Sequence, residues 1–285
     1  MGHIHHFSSG PLTPLLAYGM SCLGAALGLL CTSRARALPG GPSRWAWFTL
    51  AAISIGGTGI WVMHFVGMFG FSIEGTPVRY DVPRTVASLL VAVAVVAAGL
   101  VTAATGAARW TRLVIGGVLT GAGVAGMHYL GMSAMNLRGS LRYDTVFVAA
   151  SVVIAIVAAT AALWFALNVR GPVATAGAAL VMGIAVCGMH YTGMAALSAD
   201  LSSAVESVPG AATSSFIAPL ITGISLFTVV TLFIVALSPT EDEIREDADF
   251  NARLAALSDG RNAQARDAQG GRDARHRNTR GGVAR

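Results

Sequence analysis

Three six-residue segments of this chain repeat one chemical pattern: Met63-His64-Phe65-Val66-Gly67-Met68, Met127-His128-Tyr129-Leu130-Gly131-Met132 and Met189-His190-Tyr191-Thr192-Gly193-Met194. On a helix each residue turns ~100°, so the histidine and the methionine four positions on lie within ~40° of one another, about one turn apart. The leading methionine flanks the histidine. Each segment therefore offers an imidazole nitrogen and a thioether sulfur on one face. That donor pair suits copper, above all Cu(I), better than the oxygen-seeking Mg²⁺ and Ca²⁺ or a structural Zn²⁺ that takes thiolates. Gly67, Gly131 and Gly193 sit between the two side chains and lower the steric wall for a neighbouring helix or a ligand. A single such histidine reads as a polar bridge between helices, and a single methionine as a gap filler in a packed core. Three copies argue for a shared centre. His64, His128 and His190 are then the principal metal ligands, and Met63, Met68, Met127, Met132, Met189 and Met194 the soft auxiliary donors.

The elements that must carry these segments are membrane spans. Only 12% of the 285 residues are charged, against roughly 25% in soluble domains. Charge-free runs, histidine aside, cover 1–33, 45–73, 85–108, 113–137, 145–169, 173–199 and 207–240, each longer than the ~20 residues that cross a bilayer. The sequence predicts an all-α, polytopic bundle of seven transmembrane helices, near 12–31, 46–70, 85–106, 112–135, 145–168, 173–197 and 215–237. The motifs fall in the second, fourth and sixth helices, which run the same way. The first charged residue beyond each histidine, Glu74, Arg138 or Asp200, follows ten positions later. All three segments should thus sit at one depth.

All 19 basic side chains are arginine. Arg34, Arg36, Arg44, Arg109, Arg112 and Arg170 gather on one set of loops without acids. The alternate loops mix Arg79, Arg84, Arg138 and Arg142 with acids, so the N-terminus is expected outside and the C-terminus inside. The basic balance therefore reports topology, and no nucleic-acid partner is expected. Trp45, Trp47 and Trp110 read as interfacial anchors. Cys22, Cys31 and Cys187 have no paired ligand spacing and read as small core residues. The first apolar run lacks a basic leader and reads as a retained span.

Residues 1–237 form the expected membrane domain. Ser238-Pro239-Thr240-Glu241 has the form of a capping box opening a short cytoplasmic helix to residue 257, and the Arg-rich tail 258–285 is expected to be disordered. His3, His5 and His6 lie on the predicted outer side and are further candidate ligands. No Ser/His/Asp set, phosphate loop or dinucleotide fingerprint occurs, and the spans contain no carboxylate for an ion path. Two other classes would use the same donors. A copper-dependent membrane oxidoreductase would also need a substrate pocket and an electron route, and a copper carrier would need a ladder of donors reaching the inner face.

The three segments, carried on seven spans over 1–237, resemble the MHYT family of bacterial membrane sensor domains. Met189-His190-Tyr191-Thr192 matches the family motif in full, the second copy has Leu130 for threonine, and the first has Phe65 and Val66 for tyrosine and threonine. The resemblance implies a multi-pass protein of the bacterial cytoplasmic (inner) membrane that binds copper near the outer face and senses a diatomic gas, O₂, CO or NO. Many relatives continue into diguanylate cyclase or phosphodiesterase domains with GGDEF or EAL signatures. This sequence has neither signature, so a separate cytoplasmic signalling partner is expected.

Overall fold

Ala-, Leu- and Val-rich runs with few polar interruptions can satisfy their backbone groups in an apolar setting only as helices, and the seven expected spans are all helical. The computed structural model describes residues 4–5, 10–105, 109–201, 207–240, 242–258 and 261. Its helices are α1 (Leu12–Ala37), α2 (Pro42–Phe69), α3 (Val82–Ala104), α4 (Arg109–Ser133), α5 (Thr145–Asn168), α6 (Pro172–Ala195) and α7 (Thr213–Leu237). The first six have 23 to 28 residues, enough at ~1.5 Å per residue to cross a ~30 Å hydrocarbon core. Leu90, Val153, Val157, Ile184 and Phe233 stand exposed on the outside. Such an apolar exterior is stable only against lipid.

Short strands turn the helices into three closed units. Strand β1 (Ile4–His5) pairs with β2 (Ser72–Ile73), β3 (Arg79–Tyr80) with β4 (Met135–Asn136), and β5 (Gly139–Tyr143) with β6 (Leu197–Leu201), all antiparallel. Each unit therefore runs strand, helix, motif helix, strand, and its first and last strands clasp one another. Asp81 and Asp144 cap the first helices of the second and third units by accepting backbone N–H bonds from Arg84 at 2.9 Å and Val146 at 2.8 Å. Arg142 and Asp200 join β5 to β6 by a 2.7 Å ion pair.

The units close into a ring. The motif helix of each packs on the first helix of the next, α2 on α3, α4 on α5, and α6 back on α1. A glycine sits at each seam. A Cβ on Gly56 would lie 2.7 Å from the Ala92 oxygen, on Gly121 2.4 Å from Ile156 Cα, and on Gly183 2.5 Å from Cys22 Sγ. These glycines precede His128 and His190 by seven residues but His64 by eight. The extra residue falls in a stretch the sequence did not distinguish from ordinary α-helix. Within α2, Ile53–Val62 is π-helical, and the wider turn takes up one additional residue, keeping seam and histidine in register.

Helix α1 ends six residues later than the expected boundary at residue 31, so Arg34 and Arg36 are helical and not loop residues. The buried Arg34 donates to the carbonyls of Val235 at 2.7 Å and Ser238 at 3.4 Å. Arg36 donates to Ala166 and, at 2.9 Å, to Val169. Both guanidinium groups satisfy carbonyls at helix C-termini, where the backbone leaves acceptors unpaired. Helix α7 lies outside the ring against α1 and α2, tied to the π segment by a 2.7 Å hydrogen bond between Thr58 and Thr228.

The described residues from Pro239 onward belong to a second unit. Residues 242–258 are helical. The capping box starts two residues later than the sequence suggested. Thr240 N donates to Glu243 at 2.7 Å and Glu243 N to the Thr240 hydroxyl at 3.3 Å, the reciprocal pattern of a capping box. Apart from Ser258 and Arg261, the tail expected to be disordered lies outside the described residues.

Candidate metal centre

His64, His128 and His190 project from the three motif helices to the axis of the ring, and all are buried, at 1%, 0% and 0% exposure. Their Nδ1 atoms form a nearly equilateral triangle: 3.1 Å from His64 to His190, 3.1 Å from His128 to His64, and 3.4 Å from His190 to His128. The rings stand edge to face, with interplanar angles of 78°, 90° and 85°. Among the described residues these three are the one cluster of metal-ligating side chains.

Hydrogen bonding cannot satisfy this triangle. A ring nitrogen that carries a proton has no lone pair left to accept with, so each Nδ1 is either a donor or an acceptor. Around three vertices these roles cannot alternate, and every protonation pattern leaves one edge with two lone pairs or two N–H groups face to face. The three Nε2 atoms have no polar partner either. A buried polar group without a partner costs about 1–3 kcal/mol.

A cation resolves the conflict by accepting a lone pair from each Nδ1 at once. The point equidistant from the three nitrogens, taken from the edges of 3.1, 3.1 and 3.4 Å, lies about 1.85 Å from each, within the usual ~0.2 Å tolerance of a metal–imidazole bond. The donor set and its spacing therefore fit a small transition-metal ion.

The motif glycines hold the rings in this arrangement. A Cβ on Gly131 would lie 2.6 Å from His64 Nε2, on Gly193 2.4 Å from His128 Nε2, and on Gly67 2.5 Å from His190 Nε2. Each imidazole thus rests edge-on against the backbone of the next unit in cyclic order. The sequence suggested that these glycines admit a helix or a ligand; what they admit is the neighbouring unit's histidine.

Met63, Met68, Met127, Met132, Met189 and Met194 are all buried, none more than 3% exposed. Two aromatic contacts link the motif helices to the strands: Tyr80 packs on Phe65 with ring centroids 5.9 Å apart, and Tyr143 on Tyr129 at 5.8 Å. Burial holds the phenol of Tyr80 well above its ordinary pKa, and burial followed by the nearby Tyr129 raises that of Tyr143. Both stay neutral.

Two further bonds brace the motif helices against their neighbours. Trp61 Nε1 donates to Ser88 Oγ at 2.9 Å, and the Tyr129 and Ser151 hydroxyls are 2.6 Å apart. The sequence reading missed both serines, although each follows a Tyr-Asp pair, Tyr80-Asp81 and Tyr143-Asp144, by seven residues from the aspartate. Of the N-terminal candidates, His5 places its backbone opposite Ser72 in the β1–β2 pair, while His3 and His6 lie outside the described residues.

Fold and site define a polytopic membrane module of three units around a histidine triangle. The chain belongs to the MHYT family, the "Bacterial signalling protein N terminal repeat", which matches residues 57–116, 121–179 and 183–240. Those sequence repeats begin in a motif helix and continue into the following one, whereas the closed structural units begin one helix earlier. The chain is similar to the bifunctional diguanylate cyclase/cyclic di-GMP phosphodiesterase MucR of Pseudomonas aeruginosa, 38% identical over 70% of this chain and 30% of that protein. It is also similar to the cyclic di-GMP phosphodiesterase NbdA of the same organism, 35% identical over 66% of this chain and 24% of that protein. The signaling protein YkoW of Bacillus subtilis is 37% identical over 49% of this chain and 18% of that protein. The chain thus spans less than a third of the length of each of these relatives. No solved structure matches it.

Proposed function

We propose that this chain is the sensory module of a membrane signalling system, in which His64, His128 and His190 hold one copper ion that receives a diatomic gas. The observation that carries the reading is the odd-membered Nδ1 triangle, which protons cannot satisfy and a cation can. Charge favours Cu(I) over a divalent ion. The solvation penalty of a buried ion grows with the square of its charge, and among the described residues no carboxylate or thiolate joins the three imidazoles to offset a second positive charge. Held by the three imidazoles, Cu(I) would be able to take up O₂, CO or NO, and the motif methionines would be its soft auxiliary donors. The chain's own part is to hold the nitrogens together, exclude water, and turn ring displacement into helix displacement. Because each imidazole is wedged against the next unit's backbone, its movement shifts the seam between units. Arg34 and the Thr58–Thr228 bond connect that movement to α7 and so to a cytoplasmic signalling partner, for which the cyclic di-GMP enzymes among the relatives suggest the output.

The direct test is metal analysis of protein purified in mild detergent without chelator and reconstituted with Cu(I). One copper per chain is expected. Reconstituted protein that retains no copper would overturn the reading.

The expected orientation, with the motif end outside and the protein in the bacterial inner membrane, has its own test. Reporters fused after Ser140 and Val205 should read as outside, and after Gly40, Trp110 and Thr240 as inside. A cytoplasmic signal at Val205 would reverse the sixth helix and sink the outward placement of the centre.

A further inference from the structure

Beneath the histidine triangle the helices line a partly open cavity of about 50 Å³. Its upper wall is made by Ile60, Val124 and Val186, which are the residues four positions before His64, His128 and His190. A residue four positions earlier lies on the same helix face about one turn down, so the cavity is coaxial with the triangle. Met189, next to His190 in the chain, also lines it. Ala155 and Ala159 of α5 leave the space open on one side, and Leu100 bounds it lower down. The lining is aliphatic apart from the thioethers and the Thr120 side chain, whose hydroxyl donates to the Val95 carbonyl.

A space of this kind holds no ordered water, because a buried water needs two to four polar partners. It is large enough for a small molecule, and dry aliphatic cavities take up apolar guests, xenon among them. From the coaxial placement we infer that this cavity is a binding site for uncharged, weakly polar molecules of diatomic size, adjoining the histidine centre from below. The guest gains dispersion contacts with the aliphatic walls without giving up any hydrogen bond. The inference deepens the sensory reading, since it supplies a holding site next to the metal, but guest binding in the cavity requires no metal.

The test uses the full chain in detergent, metal-free, with ¹³C-labelled Ile, Val and Leu methyl groups and xenon as the probe. Methyl signals of Ile60, Val124 and Leu100 should shift saturably with xenon pressure, while exposed Leu90 and Val157 show only the linear drift of detergent partitioning. Filling the space with Ala159→Leu should abolish the saturable shift, and the milder Ala159→Val should weaken it. Leu100→Ala enlarges the cavity and should strengthen xenon binding at least several-fold. Linear behaviour at Ile60 and Val124 in both the wild-type chain and Leu100→Ala would overturn the inference. Saturable xenon binding that persists in His128→Ala, where copper is lost, would establish the cavity whatever becomes of the copper reading.

Discussion

Replacing His128 by alanine is expected to abolish stoichiometric copper binding while leaving the metal-free protein folded, though less stable than the wild type. Truncating a fully buried aromatic side chain ordinarily costs ~3–5 kcal/mol. Here the truncation also removes one vertex of the triangle. The remaining pair, His64 and His190 at 3.1 Å, can then share one proton as donor and acceptor, recovering part of the cost of an unsatisfied polar group, about 1–3 kcal/mol. Affinity should fall by ~100-fold or more, beyond what loss of an outer support typically costs. The wild-type melting temperature should climb with copper concentration, since ligand at a hundred times its dissociation constant adds about 2.7 kcal/mol. That of the variant should stay flat. Met132→Leu conserves volume at a buried site and should cost under ~1.5 kcal/mol in stability, weakening Cu(I) retention more than Cu(II), because a thioether is a soft donor. Copper content and melting curves of the three proteins in one detergent decide the matter. Retained copper in a triple His→Ala variant would return the histidines to the role of polar bridges between helices.

The second large effect concerns a glycine and has a control in the same helix. Gly193→Ala places a methyl 2.4 Å from His128 Nε2, whereas a Cβ at Gly188 meets nothing within 4 Å. Both substitutions should favour the helix by up to ~1 kcal/mol, because glycine is the poorer helix former. Gly188→Ala should therefore bind copper as the wild type does and melt slightly higher. Gly193→Ala must push the imidazole off its position, and a drop in copper affinity of roughly 10- to 100-fold is expected, the scale on which supports of a metal ligand act. Equal affinity in the two variants would show that the glycine edge does not set the position of the ring.

The span count, the shared direction of the motif helices and the common depth of their histidines were legible in the sequence, because charge-free runs and equal spacings are properties of the chain itself. The convergence of His64, His128 and His190 was foreseen as a shared centre. Its Nδ1 triangle was not, since that depends on how far each helix rotates about its own axis. The cyclic fit of each imidazole over another unit's glycine escaped for the same reason. Clasps such as Arg79–Tyr80 on Met135–Asn136 are too short to show a strand period, and only the folded helix pair between them brings their partners together. The π turn around Gly56 and Gly57 uses residues that also suit an α-helix, so it is visible only in the one-residue excess between the Gly56 seam and His64. Arg34 and Arg36 looked like loop charges because charge usually ends an apolar run. In the folded chain they reach the carbonyl ends of α7 and α5, so α1 continues beneath them.

Three alike units around an axis would, left to themselves, respond as equals and give a partner no way to tell one side of the assembly from another. The seventh helix removes that degeneracy. Packed against α1 and the π segment of α2, it leans on the first unit, the copy whose motif reads Phe65-Val66 where the third reads Tyr191-Thr192. On the proposed reading, a uniform event at the axis would leave the bundle along one flank. The divergent copy of the motif is in the unit against which the seventh helix packs.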